Sequence, residues 1–218
     1  MKIGQASFVF AALAAVSPAH AQFLRAYDAN SGIASNQAGI FFNLDATSGT
    51  DLAITGFDFR TWSPGTDVNV TLYTRRGGFA GRTTDPAAWT NLGTTAVAQT
   101  GGLAQSNFID TPDFVVRGGS TRGVYFYVES AGIGYATSAL SPFRGRFIGD
   151  GTLRLEAGVS RNALFGGQRF GAPEAGTYRG FAGNIYYNTI PSPASAAVLG
   201  LAALTLTTRR KRGLAQTR

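Results

Sequence analysis

Residues 68–73 read VNVTLY, and this stretch decides the fold class. Its Val and Leu residues occupy the even positions and alternate with Asn, Thr and Tyr, which is the period of a strand with one buried face. Residues 124–129, VYFYVE, repeat the alternation. A sustained helical period is absent from the sequence between residues 22 and 189. The chain is therefore predicted to fold as an all-β protein.

Turn residues divide the body of the chain into eight segments of strand-like composition. These segments are residues 39–44, 52–60, 67–75, 89–98, 113–117, 122–130, 152–157 and 181–188. The apolar parity changes at Gly56, which predicts a β-bulge there. Asp150-Gly151 predicts a tight turn between Phe147-Ile148 and the segment that holds Leu153 and Leu155. Eight or nine short strands favour an antiparallel two-sheet sandwich, with a jelly roll as the first topology and an immunoglobulin-like sandwich as the second.

The beginning of the sequence has the features of a secretory signal peptide. A positive start at Met1-Lys2 precedes an apolar stretch over residues 3–16, and Ala19-His20-Ala21 fits the small-x-small cleavage pattern. We therefore expect a signal helix over residues 1–21, recognised by the export machinery and cut by signal peptidase after Ala21.

A second apolar segment lies near the other end of the sequence. Pro191-Ser192-Pro193 precedes an apolar run over residues 194–208, which is followed by Arg209, Arg210, Lys211 and Arg212. As a helix, residues 190–208 would extend roughly 28 Å, close to the ~30 Å of a bilayer core. The basic cluster would remain cytoplasmic. We expect a transmembrane helix within residues 190–212, followed by a short tail over residues 213–218.

This order of motif, apolar helix and basic cluster resembles the PEP-CTERM sorting signal, with Pro-Ser-Pro in place of Pro-Glu-Pro. The resemblance implies that an exosortase-like membrane enzyme acts at Pro191-Ser192-Pro193. It further implies a chain that is held for a time in the inner membrane, with its body in the periplasm, and then reaches the cell surface or an exopolysaccharide matrix. Whether the anchor is cut or retained stays open.

The charge balance argues against a nucleic-acid partner. The chain carries a net charge of +7, but six of its cations are Lys2, Arg209, Arg210, Lys211, Arg212 and Arg218. Residues 22–190 hold thirteen Arg and twelve acidic residues, so their balance is 13 − 12 = +1. The single histidine is His20 and the chain has no cysteine. The body therefore has no Ser-His-Asp triad, no thiol nucleophile and no His/Cys zinc site.

Two Gly-rich segments, residues 74–88 and 158–180, are predicted to form loops on the sandwich. Loops of this kind often carry binding sites, and aromatic and Arg side chains can contact sugars and acidic groups. The candidate glycan contacts are Trp89, Arg75, Arg76 and Phe79. The favoured alternative is that the aromatic side chains of these segments pin them to the core, while the arginines are solvated.

The acidic residues offer two weaker hypotheses. Asp45 and Asp51 border a turn-like stretch whose oxygens could bind calcium, although the spacing is not that of an EF-hand. Asp110 with Asp113, or Glu156, could act as paired carboxylates in a glycosidase. Close acidic pairs arise by chance on a small sandwich, so we expect no enzyme and no cofactor.

Three functions remain, in order of preference. The first is an exported surface or matrix protein with a non-enzymatic structural or interaction role, whose body over residues 22–189 is one sandwich domain. The second is a carbohydrate-binding module for polysaccharide, which exposed coplanar aromatic side chains would favour. The third is a small Asp/Glu-dependent glycoside hydrolase. The sequence names neither the ligand nor the oligomeric state.

Overall fold

The structure is a computed structural model that describes residues 22–26, 33–60, 67–98, 106, 108–129, 132–137 and 146–191. Several predictions of the sequence therefore lie outside the described residues. They are the signal peptide with Ala19 and Ala21, the motif residues Ser192 and Pro193, the apolar anchor, and the basic cluster Arg209, Arg210, Lys211 and Arg212. Within the described ranges, no helix is both long and apolar enough to cross a bilayer.

Fourteen strands account for most of the described chain. They are β1 (Gln22–Arg25), β2 (Ile33–Gln37), β3 (Gly39–Ala46), β4 (Asp51–Phe59), β5 (Val68–Arg76), β6 (Thr90–Val97), β7 (Ile109–Val116), β8 (Thr121–Glu129), β9 (Ile133–Thr137), β10 (Phe147–Gly149), β11 (Leu153–Ala163), β12 (Gly166–Phe170), β13 (Arg179–Phe181) and β14 (Gly183–Ile190). Single 3-10 turns occur at Pro86–Ala88 and Pro173–Ala175. All eight predicted strands are present, although β7 begins four residues earlier and β11 ends six residues later than predicted, and the total of fourteen exceeds the eight or nine expected.

The strands form two antiparallel sheets, which confirms the predicted sandwich. The small sheet has the order β1-β14-β4-β7. The large sheet runs β2-β9-β13-β11-β3-β8-β5-β6, and β10 and β12 pair with further parts of β11. The predicted turn at Asp150-Gly151 joins β10 to β11, and Ile148 lies opposite Leu155 in this strand pair. The predicted bulge is also confirmed, because the β4–β7 register shifts between Ile54 and Gly56.

The main core fills the space between the two sheets. Phe57 of the small sheet lies 5.7 Å from Phe126 and 5.8 Å from Phe181 of the large sheet, measured between ring centres. Val70 and Leu72 are also buried in this core, as the alternation in β5 predicts. Burial of these side chains is the main force that holds the sheets together.

A second cluster covers the opposite face of the large sheet. Phe41, Tyr125 and Val159 point away from the main core but are fully buried, because the segment that follows β5 and the turn between β11 and β12 pack over them. The remaining members of this outer cluster are Phe79, Trp89 and Phe165. The large sheet is therefore apolar on both faces at this place. A sandwich of two sheets explains only the face that packs against the small sheet; the outer face is covered by loop and turn segments.

The prediction of a loop over residues 158–180 is wrong. β11 continues to Ala163, a tight turn through Phe165 leads into β12, and β13 begins at Arg179. A Cβ at Gly158 would overlap the carbonyl oxygen of Phe41 and the ring of Phe79. Gly158 thus permits close packing within a strand, whereas in the sequence it resembles a loop residue.

Candidate functional site

Two of the candidate glycan contacts are interior residues of the outer cluster. Trp89 and Phe79 are only 8% and 5% exposed. The Trp89 indole Nε1 donates a hydrogen bond of 2.8 Å to the Arg82 carbonyl oxygen, and the Phe79 amide donates to Asn43 Oδ1 at 2.9 Å. Both rings therefore fix the segment after β5 to the sheet below it.

The two arginine candidates are consecutive residues of β5, but their side chains have different surroundings. Arg75 donates to the Gly78 carbonyl oxygen, and its guanidinium carbon lies 5.9 Å from the centre of the Trp89 ring. Arg76 lines a separate pocket that also includes Arg117 and Arg122. Its direct partner in the β5–β8 pairing is Arg122. The structure thus brings Arg75 together with Trp89 and the segment that holds Phe79, whereas Arg76 does not join them.

The calcium candidates are each held by a different arginine. Asp45 accepts hydrogen bonds from Thr121 Oγ1 at 2.6 Å and from Nε and Nη2 of Arg154 at 3.0 and 2.8 Å. Asp51 accepts hydrogen bonds from the Gly118 amide at 2.9 Å and from Arg117 Nη1 at 2.6 Å, and these bonds, that of Gly118 first, lower the pKa of its carboxyl. No group of three His, Cys, Asp or Glu residues suited to a metal occurs among the described residues.

The carboxylates considered for hydrolysis are distributed over both sheets. Glu156 lies on β11 of the large sheet, where it accepts a hydrogen bond of 2.6 Å from Asn43 Nδ2 and pairs with Arg146. Asp110 and Asp113 are exposed on β7 of the small sheet. Glu156 is thus engaged by its own partners on a different sheet from the other two.

An arginine-lined pocket of about 470 Å³ lies beside the outer cluster. Its walls come from the segment after β5, from β11 and β12, and from the 3-10 turn at Pro173–Ala175. The charged residues in its lining are Arg146, Arg161, Arg169 and Glu174. The volume is within the range of pockets for small ligands.

Arg161 is the buried member of this pocket. It is 7% exposed, and its Nη1 donates to the Gly166 and Gly167 carbonyl oxygens at 3.3 and 2.9 Å. Its Nη2 donates to Thr83 Oγ1 at 3.2 Å, whereas its Nε is buried without an acceptor in the described structure. Burial, followed by the nearby charge of Arg169, lowers the pKa of Arg161.

The other two arginines of the pocket have acidic partners. Arg146 pairs with Glu156, and Arg169 Nη2 lies 3.1 Å from Glu174 Oε1. The Arg169 and Glu174 side chains are 42% and 68% exposed, so water screens this pair. A hydrogen bond from its own backbone amide, followed by the arginine charges, lowers the pKa of Glu174. Sequence reasoning identified Arg161 and Arg169 only as members of a loop.

A row of aromatic side chains lies on the outer face of the small sheet. The Tyr186 ring centre is 5.8 Å from that of Phe23 and 4.9 Å from that of Phe108. The exposed fractions of Phe23 and Phe108 are 55% and 51%. The ring planes meet at 40° and 89°, so this row is not coplanar. It is the most exposed aromatic surface in the described part of the molecule.

The predicted sorting motif begins immediately after the last strand. β14 ends at Ile190 in the middle of the small sheet, and Pro191 is exposed. The chain therefore leaves a well-paired strand and enters the motif without an intervening loop.

The fold thus places the chain among antiparallel two-sheet β-sandwich proteins. No family model matches it, and no curated protein matches it. Among solved structures it is similar to a chain of infectious bursal disease virus Gt strain, with 16% identity, a TM-score of 0.24 and coverage of 98% of this chain and 55% of that chain. It is also similar to a chain of the Gx strain of this virus, with 17% identity, a TM-score of 0.24 and coverage of 90% of this chain and 50% of that chain. The chain spans about half the length of these viral chains, and likeness at this level says nothing about function.

Proposed function

We propose that the chain is an exported protein of the cell surface or exopolysaccharide matrix with a non-enzymatic structural or interaction role. One observation carries this proposal: Pro191-Ser192-Pro193, an apolar run and a basic cluster follow each other in the order of a PEP-CTERM-like signal. An exosortase-like enzyme is the implied partner, acting after export and removal of residues 1–21 by signal peptidase.

The position of Pro191 supports this route. A processing enzyme needs a substrate segment that it can reach in extended form, and Pro191 is exposed at the end of β14. The body also carries nearly balanced charge, so the excess of basic residues belongs to the two ends of the sequence. A jelly-roll topology for this body stays a prediction.

The environment of the acidic residues supports a non-enzymatic role. General acid–base catalysis by paired carboxylates needs two such groups at a shared cleft. Glu156 is paired with Arg146, and the arginine-lined pocket has Glu174 as its acidic lining residue. Glu156 and Glu174 are engaged in ion pairs, and the candidate pair Asp110 with Asp113 is exposed on β7 of the other sheet.

A carbohydrate-binding module is the second candidate, favoured by the aromatic row on the small sheet. Phe23, Tyr186 and Phe108 present apolar ring surface to solvent, which sugar rings can cover. The ring planes meet at 40° and 89°, so the row is not the coplanar surface expected for such a module, and the candidate depends on the exposure of the rings. Loss of polysaccharide binding in a Phe23→Ala, Phe108→Ala variant would support this candidate over a purely structural role.

Mass spectrometry of the protein from its native host tests the main proposal. We expect a mature N-terminus at Gln22 and a C-terminus near Pro191 if the anchor is cut. A Pro191→Ala, Pro193→Ala variant is expected to retain Arg218 in the membrane fraction, whereas Pro112→Ala, an exposed proline of β7, is processed normally. A wild-type chain that stays in the cytosol with Met1 and Arg218 both attached contradicts the proposal.

A further inference from the structure

The arginine-lined pocket carries an uncompensated positive charge. Its three arginines, Arg146, Arg161 and Arg169, face two carboxylates, Glu156 and Glu174, so the balance is 3 − 2 = +1. The partners of Arg161 are two carbonyl oxygens and a hydroxyl, which are neutral. Among the described residues, no carboxylate lies within ion-pair distance of Arg161. A buried arginine without a counter-charge is unusual, because arginine is rarely buried unless it is paired.

The guanidinium of Arg161 also has unused hydrogen-bonding capacity. Such a group has five N–H donors, and Gly166, Gly167 and Thr83 accept three of them. Its remaining donors are one N–H of Nη2 and the Nε–H; the Nε atom is buried and has no acceptor in the described structure, as is also the case for Nε of Arg146. The three existing bonds fix the plane of the guanidinium, so the pocket wall is organised before any ligand enters.

The Arg169–Glu174 pair at the pocket can give way to a ligand. Exposed ion pairs contribute little to stability, and both side chains of this pair are well exposed. The Glu174 carboxylate holds Arg169 in the way that a carboxylate of a ligand would hold it. An incoming anion can therefore replace Glu174 on Arg169 without disturbing the sandwich.

We propose that this pocket binds a single oxyanion group, a carboxylate or a sulfate, through Arg169 and Arg161, with Arg146 adding positive charge. The group comes from a free small anion or from an acidic sugar residue of a polymer, and both are within the size of the pocket. Thr83 and Thr84 in the lining supply hydroxyls for the rest of such a ligand. This inference goes beyond the proposed function, because it concerns a ligand and does not depend on where the chain is delivered.

Calorimetric titration of the purified full-length chain in detergent, at constant ionic strength, tests the proposal. The probes are oligogalacturonate, the neutral galactose oligomer of equal length, and inorganic sulfate. We expect oligogalacturonate to bind and the neutral oligomer not to bind. Sulfate that competes with oligogalacturonate supports the shared site, and sulfate that binds alone identifies a free anion as the ligand.

Three variants and one control locate the site. Arg169→Gln and Arg161→Lys are expected to weaken binding about tenfold or more, because each removes a charge-assisted hydrogen bond. Glu174→Gln is expected to strengthen it, since the competing carboxylate is lost. Arg25→Gln, an exposed arginine of the small sheet, should bind as the wild type does.

Three results would overturn the proposal. The first is equal binding of the acidic and neutral oligomers. The second is failure of both the acidic oligomer and sulfate to bind. The third is wild-type affinity in Arg169→Gln, which changes a partly exposed side chain and so remains informative even if Arg161→Lys does not fold.

Discussion

Replacement of Trp89 by alanine separates a packing role from a ligand-binding role for this side chain. The indole ring lies 5.4 Å from the ring centre of Phe41, 6.3 Å from that of Tyr125 and 6.1 Å from that of Phe165. Its Nε1 also donates a hydrogen bond to the Arg82 carbonyl oxygen. The change removes one of the three aromatic side chains, with Phe79 and Phe165, that cover this part of the large sheet, and it would leave a cavity.

Loss of a buried Trp side chain of this kind costs about 3–5 kcal/mol in the free energy of unfolding. For a body of this size the midpoint of thermal unfolding is expected to fall by roughly 6–20 °C. Urea denaturation of the full-length protein, followed by tyrosine fluorescence and by circular dichroism, measures the free energy directly. Coincident transitions by the two probes would establish that unfolding is two-state.

The matched control is Phe23→Ala, which removes an aromatic side chain that is 55% exposed. A surface change of this kind is expected to cost within about 0.5 kcal/mol. If Trp89→Ala costs no more than Phe23→Ala, the outer cluster does not stabilise the fold and our account of it fails. Loss of glycan binding with unchanged stability would restore Trp89 as a ligand contact.

Three further predictions concern stability. Gly158→Ala is expected to cost about 1–3 kcal/mol or more, because its Cβ would overlap a carbonyl of β3, whereas Gly166→Ala has room; similar urea midpoints for the two would contradict this. Burial and then the hydrogen bond to Asp150 raise the folded-state pKa of Tyr187. The contribution of this group to the free energy of unfolding is therefore fully present below about pH 10 and is lost as the pH rises further. Tyr187→Phe should make that fall shallower, and an unchanged slope would count against it. Calcium is expected to leave the unfolding temperature unchanged, because Asp45 and Asp51 are bound to arginines; a rise of several degrees would show that the ion displaces them.

The strands could be predicted because their signal is local. In β5 and β8 the alternation of side chains records which face is buried, and this pattern needs no knowledge of the rest of the fold. The bulge at Gly56 was visible for the same reason, as a change of parity within one segment. β7 was predicted only from residue 113, because Pro112 and the polar residues before it obscure its first half.

The segment 158–180 was misinterpreted because glycine has two roles. In isolation, its glycines predict turns. In the structure, Gly158 lies beneath Phe79 and against the backbone of β3, where only a hydrogen atom fits. That requirement comes from a residue about eighty positions away, which a local pattern does not record.

The sequence alone determined an all-β body, its division into strands and the composition of both ends, because each of these depends on neighbouring residues. The sequence already favoured packing of Trp89 and Phe79 against the core, but only the tertiary structure showed that Arg161 is buried and that Arg146, Arg161 and Arg169 share one pocket. Sheet pairing brings these arginines together from separate segments of the chain. Arg161 is buried there, whereas its local sequence suggested a solvated side chain. The charge and burial of this pocket depend on which segments pack together in the folded chain, and local sequence patterns do not record that packing.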